Sequence, residues 1–219
     1  MSLSKLTIVI PTFYPGKIIK KCLASLPLTS EIIIIDNGED LELEKIIKLQ
    51  KHKIKHYKVG DVGLSKSFNI ALAKSKNENI LITQPDVCFE KNSIINLVKA
   101  QKKYTKAGII SPLLFEKNKY SQYDYLDLSL SKLGTLENKR RPKKVSMFPS
   151  GDICVEAVNA TAMLIKKSII KKINGWDENI YTYHEDIDLC LRLRKKGYSI
   201  MKIKRSIAHH VGFGSNKKK

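Results

Sequence analysis

Four consecutive isoleucines set between acids, Glu31-Ile32-Ile33-Ile34-Ile35-Asp36, constrain this chain more than any other stretch. A strand that is apolar at every position has no face to leave in water. It must be covered on both sides, as the interior strands of a parallel sheet are. Leu6 to Ile10 reads as an earlier strand of the same kind, stopped by Pro11, and Ile54 to Val59 and Ile80 to Thr83 supply two more. Between these runs the apolar residues fall three and four apart: Ile18, Ile19, Cys22, Leu23 and Leu26, then Leu43, Ile46 and Ile47, then Leu64, Phe68, Ala71 and Leu72. Strands alternating with amphipathic helices predict βαβ units, hence an α/β fold with a mostly parallel central sheet flanked by helices.

The alternation fails in the second half. A helix is expected from Ser93 to about Ala107, and Ile109-Ile110 is a short strand candidate. Residues 116–150 are polar, tyrosine-bearing and basic, including Lys139-Arg140-Arg141-Pro142-Lys143-Lys144, and read as a long insertion of the kind that serves as a lid or binding loop. Val155 to Ile165 regains strand character, Ser168 is placed to cap a short helix, and Glu185 to Lys196 reads as a longer helix ending at Gly197. With 219 residues the chain is expected to form one domain, its first half spanning about 5–112 and its second about 113–215.

Forty Lys and Arg against 21 Asp and Glu give a net charge of +19, a field that favours nucleic acid, an anionic membrane surface or a phosphate-bearing small molecule. No apolar run approaches the roughly 20 residues that span a bilayer, and Met1-Ser2-Leu3-Ser4 does not read as a signal peptide. Cys22, Cys88, Cys154 and Cys190 form no close pair. A reducing, cytoplasmic setting is therefore expected, with peripheral contact to the inner face of a membrane.

In open α/β sheets ligands bind beyond the carboxyl ends of the strands. Asp36 ends one strand, Asp61 follows another, and Asp86 follows a third. The turn Pro11-Thr12-Phe13-Tyr14-Pro15-Gly16 is neither a dinucleotide fingerprint nor a P-loop, so a bound diphosphate needs another counter-charge, and a divalent ion on a carboxylate is the usual one. A lone Asp at a strand end caps a turn as readily. Glu185, Asp186 and Asp188 crowd the start of a predicted helix, where acids also complement the helix dipole, worth about 0.3–1 kcal/mol each. Dipole complementarity does not account for Trp176, Tyr181, Tyr183 and His184 just before them, a composition suited to stacking on sugar faces.

These blocks resemble glycosyltransferase family 2, with the GT-A fold, and within it the rhamnosyltransferase type. The resemblance rests on Thr7-Ile8-Val9-Ile10-Pro11-Thr12, Ile33-Ile34-Ile35-Asp36-Asn37-Gly38, Gly63 followed by Asn69, and Gln84-Pro85-Asp86-Val87. It continues through Asn174-Gly175-Trp176-Asp177-Glu178, Glu185-Asp186-Ile187-Asp188, Gly197-Tyr198 and His210-Val211-Gly212-Phe213-Gly214-Ser215. It implies that Pro11, Thr12 and Tyr14 line the nucleotide, that Asp36 and Asn37 meet its base or ribose, and that Asp61, Gly63, Asn69 and Gln84 complete the nucleotide-sugar pocket. It places Asp86 at the metal, Mn²⁺ or Mg²⁺, with His210 or His209 as a second ligand. Asp186 takes the position of the general base, with Glu185 beside it and Trp176, Tyr183, His184 and Asp188 toward the acceptor. The implied reaction is an inverting transfer from a dTDP- or UDP-sugar to a saccharide or lipid-linked acceptor in surface polysaccharide synthesis.

Two residues depart from the family pattern: Gln84 stands where many members carry Asp, and Glu39 where Ser is common. Two other classes compete. A basic nucleic-acid-binding module accounts for the charge but not for the motifs, so nucleic acid is not the expected partner; a sugar-nucleotide nucleotidyltransferase requires a glycine-rich phosphate loop that the Pro11 turn does not supply.

Overall fold

The computed structural model describes residues 3–117, 122–123, 128–130, 136–138 and 151–210. The basic 139–144 segment, the lysines at 217–219 and the closing 211–215 motif lie outside the described residues. A central sheet carries parallel strands β1 (Leu6–Thr12), β2 (Glu31–Asp36), β3 (Ile54–Lys58) and β4 (Asn79–Thr83), in the order β4-β1-β2-β3. It extends past β4 through β11 (Ala162–Lys166, antiparallel), β6 (Ala107–Lys117), β12 (Ser199–His210) and β10 (Ile153–Val155). β12 runs parallel to β6 and pairs antiparallel with the short β5 (Val87–Phe89).

Strand alternation divides the apolar residues between two layers. Ile8, Ile10, Ile32 and Ile34 face one side, under α1 (Ile19–Ala24), α2 (Leu41–Lys48) and α4 (Ser93–Lys103); Val9, Ile33 and Ile35 face the other, under α3 (Gly63–Lys74), α5 (Lys167–Lys172) and α6 (Glu185–Lys195). The four isoleucines of β2 are thus buried alternately in opposite cores. Each such side chain contributes about 1.5–3 kcal/mol when fully buried.

Three expectations are corrected, and one strand had not been foreseen. Pro11 does not stop β1: it pairs with Ile35 and the strand runs on to Thr12, which meets Asp36 at the sheet's carboxyl edge. The helix after Ser93 ends at Lys103, and Ala107 already begins β6. Ser168 is not a cap: α5 begins at Lys167, and the Ser168 N–H and hydroxyl donate instead to Glu78. The 12-residue β12 carries no isoleucine run to announce it, since Lys and Arg interrupt its apolar positions.

Candidate active site

A cavity of about 740 Å³ opens at the carboxyl edge of the sheet, a size suited to a small-molecule ligand. Its walls come from the end of β1 (Pro11, Thr12, Phe13), the β2 turn (Asn37), the entry to α3 (Asp61, Gly63), the stretch after β4 (Gln84 to Asp86), residues 181–184, the start of α6 and His210 at the end of β12.

The β1–β2 wall is held by hydrogen bonds. Asp36 is fully buried, and its Oδ1 accepts from Gly38 N (3.2 Å) while its Oδ2 accepts from Asp40 N (3.0 Å) and lies 3.0 Å from His56 Nε2. Burial raises its pKa, but the His56 bond and the two backbone N–H groups outweigh that, so the carboxyl stays below the ordinary aspartate range. Asn37 N donates to Thr12 O (2.8 Å), and the Asn37 amide exchanges bonds with the Ser67 hydroxyl and accepts from Val62 N (3.2 Å). Asn37 therefore lines the cavity, whereas Asp36 sits behind it and shapes the turn. Tyr14, at φ 46°, packs its ring against Gly38 and edge-on to Phe13 at 5.0 Å; Phe13, unassigned by the motifs, is the ring that lines the cavity.

Gly63 clasps the two halves together. At φ 78° a Cβ there would lie 2.4 Å from the Tyr181 carbonyl oxygen, so only glycine permits the approach. The contact is secured by Leu64 N donating to Tyr181 O (2.8 Å), by the Ser65 hydroxyl donating to Ile180 O, and by the Tyr181 hydroxyl donating to Asp61. Asn69 works one turn along. Its Oδ1 accepts from Trp176 N (3.0 Å) and its Nδ2 donates to Trp176 O (2.9 Å) and Glu178.

The structure separates residues that the sequence groups. Trp176 is 2% exposed and packs on Phe68 with centroids 5.1 Å apart, so its ring belongs to the core and does not line the cavity. Asp188 accepts from Arg192 Nε (2.8 Å) and Nη2 (2.6 Å), and Arg192 in turn donates to the carbonyls of Ile173 and Gly175. Asp188 and Arg192 together brace the loop before α6, where an acceptor contact had been expected of Asp188. Tyr183 and His184 do line the cavity, at φ 63° and 70°, a left-handed pair that turns the chain sharply into α6.

His209 and His210 are neighbours on β12, and strand alternation sends them apart. His210 Nε2 lies 3.1 Å from Asp86 Oδ2 in the cavity; His209 Nε2 lies 2.8 Å from Glu90 and its ring packs against Phe115. The metal expectation for His209 is not supported by this geometry. No cluster of three or more His, Cys, Asp or Glu suited to a metal occurs among the described residues. A carboxylate with an imidazole is nevertheless a donor pair that would suit a Mn²⁺-type ion, and Asp86 and His210 are the residues that would hold it.

Asp186 and Glu185 stand at the first turn of α6. Asp186 Oδ2 accepts from Ala160 N (3.0 Å) and Oδ1 from Ile187 N (2.8 Å). Burial raises its pKa, and these donors offset the rise only in part. Glu185 is pushed further, up to about 7, first by burial and then by the charge of Asp186.

A parallel sheet whose carboxyl edge carries a deep, acid-lined cavity and whose far half is completed by mixed strands is the GT-A arrangement of nucleotide-sugar glycosyltransferases. GalNAc-T7 solved with UDP, GalNAc and Mn²⁺ superposes with a TM-score of 0.77 at 15% identity, over 94% of this chain and 44% of that one. The chain thus spans less than half of that solved structure. The model of glycosyl transferase family 2 matches residues 7–170, and the chain belongs to that family. Among curated relatives, rhamnosyltransferase WbbL of Escherichia coli K12 is 29% identical over 91% of this chain and 80% of its own length. The N-acetylglucosaminyl-diphospho-decaprenol L-rhamnosyltransferase of Mycobacterium tuberculosis is 22% identical over 94% of this chain and 76% of its own length.

Proposed function

We propose that this chain transfers a sugar, with rhamnose the leading class, from a dTDP- or UDP-sugar to a saccharide or lipid-linked acceptor, inverting the anomeric centre. The observation that carries the reading is that one cavity joins Thr12 and Asn37, the Asp86–His210 pair and Asp186. The two rhamnosyltransferase relatives favour the sugar, and the diphospho-decaprenol in the name of one favours a lipid-linked acceptor; we assign the product to surface polysaccharide synthesis.

Among the described residues that line this cavity there is no Lys or Arg, although the chain carries +19, and Asp61, Asp86, Glu185 and Asp186 all face it. A nucleoside diphosphate therefore finds no side-chain cation in these walls. Asp86 and His210 are the residues that hold a divalent ion, which when bound supplies counter-charge for the departing diphosphate. Thr12 and Asn37 bind at the nucleotide end, with Tyr14 and Asp36 fixing the turn that presents them. Gln84, in place of a first acid, offers an amide to the donor without adding negative charge.

Asp186 removes the proton from the acceptor hydroxyl as that oxygen attacks the anomeric carbon opposite the diphosphate. Its partly offset pKa elevation strengthens it as a base while the Ala160 and Ile187 N–H groups fix its orientation. Tyr183 and His184 orient the acceptor beside it.

The test is a panel of dTDP- and UDP-sugars with and without Mn²⁺, read by thermal shift and by transfer to glycosides. A bound ligand at a hundredfold excess over its Kd raises apparent stability by about 2.7 kcal/mol. Absence of any shift and any transfer across the panel overturns the reading. No helix among the described residues is long and apolar enough to cross a membrane. The +19 charge supports peripheral attachment to an anionic membrane on the cytoplasmic side, tested by salt-dependent flotation with anionic liposomes.

A further inference from the structure

We infer that Glu185 enters the reaction as a neutral carboxyl group whose Oε2 hydroxyl donates a hydrogen bond to an oxygen of the bound substrate, leaving Asp186 as the anion of the pair. This rests on the glycosyl-transfer reading above and assigns a second role within the same site.

Glu185 lines the cavity, is 4% exposed, and its Oε2 has no hydrogen-bond partner among the described residues. A buried carboxylate is tolerated when cations or several N–H donors surround it. Among the described residues, no Lys or Arg lines its cavity. The ionisable groups that share its cavity are Asp186 on its own helix, Tyr181, Tyr183 and His184 on the preceding loop, Asp61 before α3, Asp86 after β4 and His210 on β12. Three of these are carboxylates, and of the two imidazoles that of His210 already lies 3.1 Å from Asp86.

The two adjacent acids are treated differently. Asp186 receives a backbone N–H on each oxygen, which favours its charged form. Glu185 keeps one oxygen unpartnered, and a buried oxygen without a partner is costly unless it carries a proton it can donate or meets a ligand. Its pKa, raised to about 7 by burial and then by Asp186, agrees: the N–H groups of Glu185 and Tyr183 pull the other way without cancelling the rise. With an elevated pKa the neutral form is present below about 7 and is lost as the pH rises through that value. Ionisation places a new negative charge in a cavity that must accept a diphosphate, so nucleotide binding weakens on the alkaline side.

Glutamine is the uncharged isostere of a protonated glutamate, which gives the test a sign opposite to that of a catalytic carboxylate. Binding of dTDP and of UDP in the presence of Mn²⁺ is measured by calorimetry from pH 6 to 9 for the parent and for Glu185→Gln. The parent is expected to weaken roughly tenfold across that range. The glutamine variant is expected to bind at every pH as the parent does at pH 6. A site-resolved ¹³C titration of the parent's glutamate carboxyls reads the same group without substitution, and a Glu185 midpoint near 7 is expected.

A parent whose affinity is flat across the range, a glutamine variant that weakens with pH as the parent does, or a Glu185 midpoint below about 5.5 each overturns the inference while leaving the donor site intact. Failure of both nucleotides to bind at any pH overturns the donor-site reading and this inference with it.

Discussion

Asp36 and Glu185 are both buried carboxyls at the same edge of the same sheet, yet their acidities move in opposite directions. On the β1–β2 side, Asp36 is met by His56 and by the N–H groups of Gly38 and Asp40, and it remains an anion whose work is to shape a turn. On the α6 side, Glu185 shares its cavity with other acids and leaves one oxygen unpartnered. Burial is common to both, so it is the partners that decide whether a hidden carboxyl is a fixed structural anion or a group poised to change charge. The first region is a rigid cradle. The second holds the groups proposed to react, entered through two left-handed residues whose conformation costs energy that packing elsewhere must offset.

The strongest way to break this division is Asp186→Asn. If Asp186 is the base, turnover falls about 10²–10⁴-fold or more while nucleotide binding holds, because the amide keeps the shape and loses the basicity; the melting temperature falls by only roughly 2–12 °C, since the amide nitrogen leaves one of the Ala160 and Ile187 N–H groups without an acceptor. Parental turnover in that variant removes Asp186 as the base and leaves it the task of holding the Ala160 and Ile187 N–H groups.

Trp176→Ala sharpens the boundary between the regions. A ring packed on Phe68 in the core predicts a stability loss of about 3–5 kcal/mol, a melting-temperature drop of roughly 6–20 °C for a chain of this size. Weakened acceptor use with an unchanged melting temperature would instead return Trp176 to the acceptor site.

Asp36→Asn tests the cradle. Loss of its charged hydrogen bonds is expected to cost about 1–3 kcal/mol in chemical denaturation at neutral pH. The sign with pH follows from its lowered pKa: the stabilisation is present above the unfolded aspartate value and is lost as the pH falls through the lower folded value. The gap between parent and variant should therefore close in acid, and a gap that stays constant removes Asp36's charge as the cause.

The smallest effect separates the two histidines. His210→Ala is expected to weaken Mn²⁺-dependent nucleotide binding about tenfold or more, and His209→Ala to leave it within about twofold, because only His210 shares the cavity with Asp86. Equal losses in calorimetry would place both rings at the ion.

The sequence determined the sheet's interior, since an apolar run such as Ile32 to Ile35 can be satisfied only between two covered faces. It also fixed the family, whose motifs stand in order along the chain and depend on chemistry that local spacing preserves. Gly63 was legible as a motif residue, but its reason, the backbone of Tyr181 at its flank, is a contact between segments more than a hundred positions apart. Only the tertiary structure decided which members of each cluster line the cavity. It sent His209 and His210 to different partners, took Trp176 into the core, set the carbonyls of Ile173 and Gly175 against Arg192, and brought Phe13 into the cavity. It also gave the neighbours Glu185 and Asp186 unequal hydrogen bonding. The physical reason is that a residue's type states what it can bond or bury, while its charge and its contacts depend on which distant segments the fold sets against it.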